Sequence, residues 1–210
     1  MPIRGRKLDD LDRTHVGHRL IFAACVALLL TLSAGATIVP RMSFEQIVGG
    51  SDTIVHGSVV KTWSAWGAEH RIIWTHYEIK VSESLKGTAG VRVVVSEPGG
   101  EVAGVAMQVA GVPQYSVGDE VVVFTTVTPI GLSRTSGWGQ GKFQVVSSLA
   151  GAPPVVRSGV AGIRLVDDAR KTTTVDSNST EIPSLNGLTL DKFKLRIREA
   201  LRAQTSAGAR

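Results

Sequence analysis

Residues 71–82 read RIIWTHYEIKVS. Ile73, Thr75, Tyr77, Ile79 and Val81 alternate with Trp74, His76, Glu78 and Lys80, and a period of two is the mark of a half-buried strand. The odd set is expected to face inward and the even set outward. Just upstream, TIVHGSVVKTW at 53–63 has the same period with Gly57 inside it. An interior strand glycine marks a bulge or a sharp bend at a barrel corner. Gly67 to His70 is the turn that makes these two strands a hairpin. Downstream, VRVVVS (91–96) is a third strand, closed by the turn Pro98-Gly99-Gly100. Glu101 to Val109 reads as a weaker strand interrupted by Gly104. EVVVFTTV (120–127) is apolar on both sides and is expected to be central. KFQVV (142–146) follows a glycine-spaced loop at 137–141. Five to six short antiparallel strands with a bend in the first predict a mainly β fold, a small OB-like, partly closed barrel.

Helices flank these strands. Ser43-Phe44-Glu45-Gln46 has the form of a capping box, with Gly49-Gly50 ending a helix of barely two turns. At the other end Thr189 is the expected N-cap of an amphipathic helix with Leu190, Phe193, Ile197 and Leu201 on one stripe. Lys192, Lys194, Arg196, Arg198 and Arg202 fill its other face. A run of this kind reads as a solvated face, and no nucleic-acid partner is expected because interleaved aromatics are missing. The expected organisation is 37–147 barrel, 148–187 an appended hairpin and loop, and 188–204 the C-terminal helix. In the appended segment Val155-Val156 and Ile163 to Val166 are the hairpin pieces.

The N-terminus sets the compartment. Arg4, Arg6, Lys7, Arg13 and Arg19 precede the apolar run Leu20 to Leu32, and Ala34 and Ala36 stand at −3 and −1 of a cut after Ala36. Basic, apolar, then A-x-A is the order of a signal peptide over 1–36. The alternative is an uncleaved single-pass anchor, in which case residues 20–39 are the only membrane contact. Either way residues 37–210 are exported, to the periplasm or beyond. The chain's one cysteine, Cys25, lies in the apolar run, so cleavage leaves no thiol, disulfide or thiolate metal site. With 43% hydrophobic and 20% charged residues, the 210-residue chain is too apolar for a disordered one.

Three stretches carry a resemblance: SDTIVHGSV (51–59), YEIKVSESLKG (77–87) and VGDEVVVF (117–124). Together with PGGE (98–101) and GVPQY (111–115), they are similar to a group of uncharacterised secreted bacterial proteins. They also resemble, more distantly, the netrin-like domain of the tissue inhibitors of metalloproteinases, an OB-type barrel. The resemblance covers about residues 43–146 and implies an OB-like fold. That inhibitor family relies on disulfides and an N-terminal cysteine placed on the protease zinc, and neither is carried over to a mature chain that cleavage leaves without cysteine.

No H-E-x-x-H, G-x-S-x-G or acidic metal loop occurs. The loop before Lys142 has Phe143 where a phosphate loop needs Ser or Thr, so it reads as a strand connection. His56, His70 and His76 are weak metal candidates, since a site needs three or four groups converging on the ion. Trp74, His76, Glu78, Trp63 and Trp138 are the candidate ligand or partner surface, because an outward indole on the first hairpin is a plausible anchor. The competing expectation is that these tryptophans pack beneath the terminal helix or the 148–187 segment. The sequence therefore predicts an exported, non-enzymatic binding module with no catalytic residues and no cofactor, serving a protein or small ligand of the cell envelope. The alternatives are a protease-inhibitor-like partner of an exported metalloprotease, and a metal-dependent enzyme using His70, His76 and Glu78.

Overall fold

A computed structural model describes residues 38–147, 151–159, 164–166, 172–173 and 185–208, all within the unit Ala36–Arg210. The predicted signal or anchor and most of 148–187 lie outside the described residues. Chain order is β1 (Ile38–Pro40), α1 (Phe44–Gly50), β2 (Thr53–Trp66), β3 (Ile73–Lys86), β4 (Arg92–Pro98), β5 (Gly100–Val102), β6 (Val105–Met107), β7 (Glu120–Val127) and β8 (Ser133–Thr135). A single 3₁₀ turn, Trp138–Gly141, leads into β9 (Lys142–Val146), β10 (Val155–Ser158), β11 (Arg164–Val166), β12 (Thr172–Thr173) and α2 (Leu190–Gly208). Among the described residues no helix is long and apolar enough to cross a membrane.

The fold is mainly β. Its principal sheet has seven antiparallel strands in the order β10-β9-β7-β2-β3-β4, with β8 also paired to β7. The β7 strand is central, between β2 and the β8/β9 side, and both of its faces are buried. That placement explains the unbroken VVVF run. Val122 and Phe124 meet α1 and α2, in a core with Phe44, Ile47, Phe143, Phe193 and Ile197. Val121 and Val123 meet Val55, Val59, Tyr77, Ile79, Val95 and Tyr115 on the opposite, inner face.

β2 is bent as its glycine requires. Register with β3 shifts at His56/Gly57, and an added Cβ at Gly57 would lie 2.3 Å from the Lys80 carbonyl oxygen. The sheet does not close into a barrel by backbone pairing. β10 and β4 are its two ends, and β8 reaches β4 without a backbone ladder. Glu97 at the end of β4 accepts from the Thr135 N–H of β8 (2.7 Å) and from Arg134 (3.1 and 3.3 Å). The expected partly closed barrel of five or six strands is thus a larger open sheet, bridged across one gap by a carboxylate.

The α1 capping box is formed: Ser43 Oγ accepts from Gln46 N–H (3.1 Å) and Gln46 Oε1 from Ser43 N–H (2.7 Å). α2 docks through Leu190, Phe193, Ile197 and Ala200, with Leu201 partly buried. Gln204 Nε2 of α2 donates to the Glu45 carbonyl oxygen of α1 at 2.8 Å. Much of its basic face is neutralised: Lys194 and Arg198 pair with Glu83, and Arg196 with Glu45.

Two segments differ from expectation. Glu101–Val109 is no strand of the main sheet but the small hairpin β5–β6, turned by Ala103 and Gly104 at φ 51° and 79°. Two positive φ values in a two-residue loop match the twist of a hairpin and fold it back on itself. Val155-Val156 does not form a hairpin with the piece ending at Val166. β10 instead extends the main sheet at β9, where Val156 enters the helix-side core, while β11 pairs with β1 and β12.

Candidate functional site

The inner face of the sheet opens into a cleft of about 970 Å³. Three walls form it: the ends of β3 and β4 with Thr75, Tyr77 and Glu97; the turn and hairpin from Pro98 to Met107; and the loop 108–114, with Lys142 and Gly159 opposite. Gly100 is obligatory in this wall. Its φ is +125°, and a Cβ would come within 2.3 Å of Thr75 Oγ1 and 2.5 Å of Ser64 Oγ. Thr75 Oγ1 donates to the Gly99 carbonyl (2.7 Å), which fixes the PGGE turn to β3.

Glu97 is the acid of this site, 1% exposed. Burial raises its pKa above the ordinary carboxyl value, against the opposing pull of Thr135 and Arg134. Tyr115, wholly inside, shares a 2.6 Å hydrogen bond with Thr135 Oγ1, and burial together with Glu97 drives its phenol well upward. Its ring lies 4.9 Å from that of Tyr77. Lys142 donates to the Gln114 carbonyl oxygen and sits over the Tyr115 ring. Burial pulls its pKa down, partly countered by Asp119. These contacts bring one buried acid, one buried cation and the Tyr77 phenol to the cleft, with the Tyr115 ring packed against Tyr77 and Lys142.

The residues singled out by the sequence lie elsewhere, and none of Trp63, Trp74, His76, Glu78 or Trp138 borders the cleft. Trp74 is not an outward anchor: it is 9% exposed. Among the described residues its cover includes Arg134 and the main chain at Gly67. The Arg134 guanidinium lies 5.9 Å over its ring, and Gly67 sits so close that a Cβ there would be 3.0 Å from the indole nitrogen. Trp138, at the positive φ of 57°, stacks on the same guanidinium at 5.1 Å. Arg134 is thus held by two indoles and Glu97. Trp63 is half-buried, stacked on His76 at 5.1 Å with Lys61 at 5.0 Å. His76 Nδ1 is hydrogen-bonded to buried Ser96 (2.8 Å), and burial lowers its pKa. Glu78 pairs with Arg92.

The three histidines do not converge. His56 is paired with Glu120 Oε1 at 2.7 Å and stands opposite Glu83 on β3. His76 stands opposite Trp63, and His70 is in the hairpin turn, stacked on Trp66. Among the described residues no group of three or more His, Cys, Asp or Glu side chains is placed to hold a metal ion.

Glu97 and Lys142 escaped the sequence reading, although a signal existed. Each is a buried charged residue within a strand, Glu97 in step with Val95 and Lys142 paired with Val123. Comparison with known protein families, characterised proteins and solved structures finds no match for this chain.

Proposed function

We propose that this protein is an exported, non-enzymatic binding module: an OB-like β fold, delivered by its N-terminal signal, that holds its ligand in the cleft on the inner face of the sheet. One observation carries the reading. The two turns quoted for the resemblance to secreted bacterial proteins, PGGE at 98–101 and Gly111 to Gln114 of GVPQY, both line the same 970 Å³ cleft. That volume falls in the range of small-molecule sites, roughly 300–1,000 Å³. The ionisable groups around it serve geometry: Glu97 holds β8, Tyr115 is tied to Thr135, and Asp119 accepts from Ser116 N–H at 2.9 Å. Carboxylates and a phenol engaged in this way favour binding over proton transfer.

A library of small organic fragments, followed by amide chemical-shift perturbation, tests the reading. Hits are expected to move the amides of Gly99, Gly100, Gly111 and Gln114. Hits confined to the Trp63/Trp138 side of the sheet would defeat it.

A further inference from the structure

Resting on that reading, we infer that the ligand is a monocarboxylate with an apolar body and that the Lys142 ammonium is its seat. Lys142 opens β9 with its side chain on the inner face, paired with Val123. Its stem is walled by the main chain at Gly159, where a Cβ would come within 2.9 Å of the lysine carbons. Its ammonium lies 4.6 Å from the centre of the Tyr115 ring and donates to the Gln114 carbonyl oxygen. The cation is therefore fixed before any ligand arrives, which lowers the ordering cost of binding.

An ammonium carries three N–H donors, and the Gln114 carbonyl takes one. Asp119 Oδ2, 3.9 Å away, is ion-paired with the ammonium but takes no hydrogen bond from it at that distance. The Asp119 oxygens already accept from Ser116 N–H at 2.9 Å and Gln144 Nε2 at 3.3 Å. Among the described residues Lys142 is thus a largely desolvated cation with donors to spare, and it borders the cleft. An anionic acceptor placed there forms charge-assisted hydrogen bonds that the protein itself does not supply.

The rest of the wall fixes valence and body. Glu97 and Glu101 border the same cleft, and Arg134 is engaged by Glu97. Among the described residues the Lys142 ammonium, with Asp119 at 3.9 Å, shares the cleft with Glu97 and Glu101, a balance that suits a monoanion and disfavours a phosphate dianion. Met107, Val109, Val112 and Pro113 supply an apolar surface for the remainder of the molecule.

The test is an amide chemical-shift titration of the purified chain with hexanoate and benzoate, each paired with its primary amide, and with inorganic phosphate. A free carboxylate and a peptide C-terminus share this chemistry. A further arm therefore uses a short peptide ending in valine, with a free or amidated terminus, and tighter binding of either carboxylate source identifies which one the cleft takes. The expected result is movement at Gln114, Tyr115 and Gly159, with each carboxylate binding about tenfold or more tighter than its amide, the scale of a hydrogen bond to a charged group. Lys142→Met should erase that preference and Lys142→Arg should keep most of it. Should the methionine variant fail to fold, the acid-to-amide ratio of the unaltered chain still decides. Equal binding of acid and amide in the cleft, or tighter binding of phosphate, overturns the inference and leaves the cleft reading standing. Carboxylate shifts that map away from the cleft also overturn it, and the fragment library then judges the cleft separately.

Discussion

Removing the Glu97 side chain should open the gap between β4 and β8. In the native sheet that carboxylate is the link across the gap: Oε1 takes the Thr135 N–H at 2.7 Å and Oε2 takes Arg134 at 3.1 Å. Glu97→Ala leaves a backbone N–H without its acceptor, worth about 1–3 kcal/mol when buried. It also leaves the Arg134 guanidinium without its counter-charge, and breaking a buried ion pair from one side costs about 3–5 kcal/mol. The two losses overlap, and Arg134 retains 25% side-chain exposure and two indole faces, so the lower part of that range applies. We expect about 3 kcal/mol in urea denaturation, and a melting midpoint lower by roughly 6–12 °C for a unit of this size. Glu97→Gln keeps the shape and isolates the charge. The native carboxyl binds its proton up to higher pH than the ordinary 4.5 of the unfolded chain, because it is buried. Between those two values the native state holds more protons, so stability falls as pH rises through the window. The contribution is complete below 4.5 and lost above the native value, and Glu97→Gln should flatten that part of the stability–pH curve. An alanine variant within about 0.5 kcal/mol of the parent, the range of an ordinary surface change, would refute the bridging role.

Three further outcomes are expected. Trp74→Ala should cost about 3–5 kcal/mol, as truncation of a buried aromatic does, and an unchanged urea midpoint would return Trp74 to the surface. Phe193→Ala should cost a similar 3–5 kcal/mol, since that ring is fully buried among Phe44, Phe124 and Phe143; intact stability would mean that α2 does not hold the sheet's outer core. Expressed in a bacterium with a general secretory pathway, the exported protein should begin at Thr37 by mass spectrometry, and an exported form retaining Met1 would instead support the anchor.

Local pattern carried much of the fold. Alternation in β3 placed Ile73, Tyr77 and Ile79 correctly, because each side of a strand sees one environment. The same alternation failed for Trp74, whose face is covered by Arg134, a residue sixty positions along the chain that no local period encodes. The two-sided run of β7 announced a central strand, and Ser43 with Gln46 announced the first helix, since both signals are complete within a few residues. Pairing partners were not legible: nothing local in Val155-Val156 favours the edge of β9 over a hairpin with its neighbour. Glu97 was missed because the third strand was read as ending at Ser96, two residues short of Pro98, so its inward parity with Val95 went unseen. Lys142 was weighed only as part of a phosphate-loop pattern, whereas its meaning comes from Tyr115 and Gln114, which the fold brings to it.

The cleft claim is tested most directly by intermolecular nuclear Overhauser effects between bound hexanoate and the side chains of the protein. Contacts from the hexanoate chain to Tyr77, Met107 and Val112 are predicted, with the carboxylate end nearest the Lys142 side chain. Contacts to Trp63, His76 or Trp138, with none to those four residues, would contradict it.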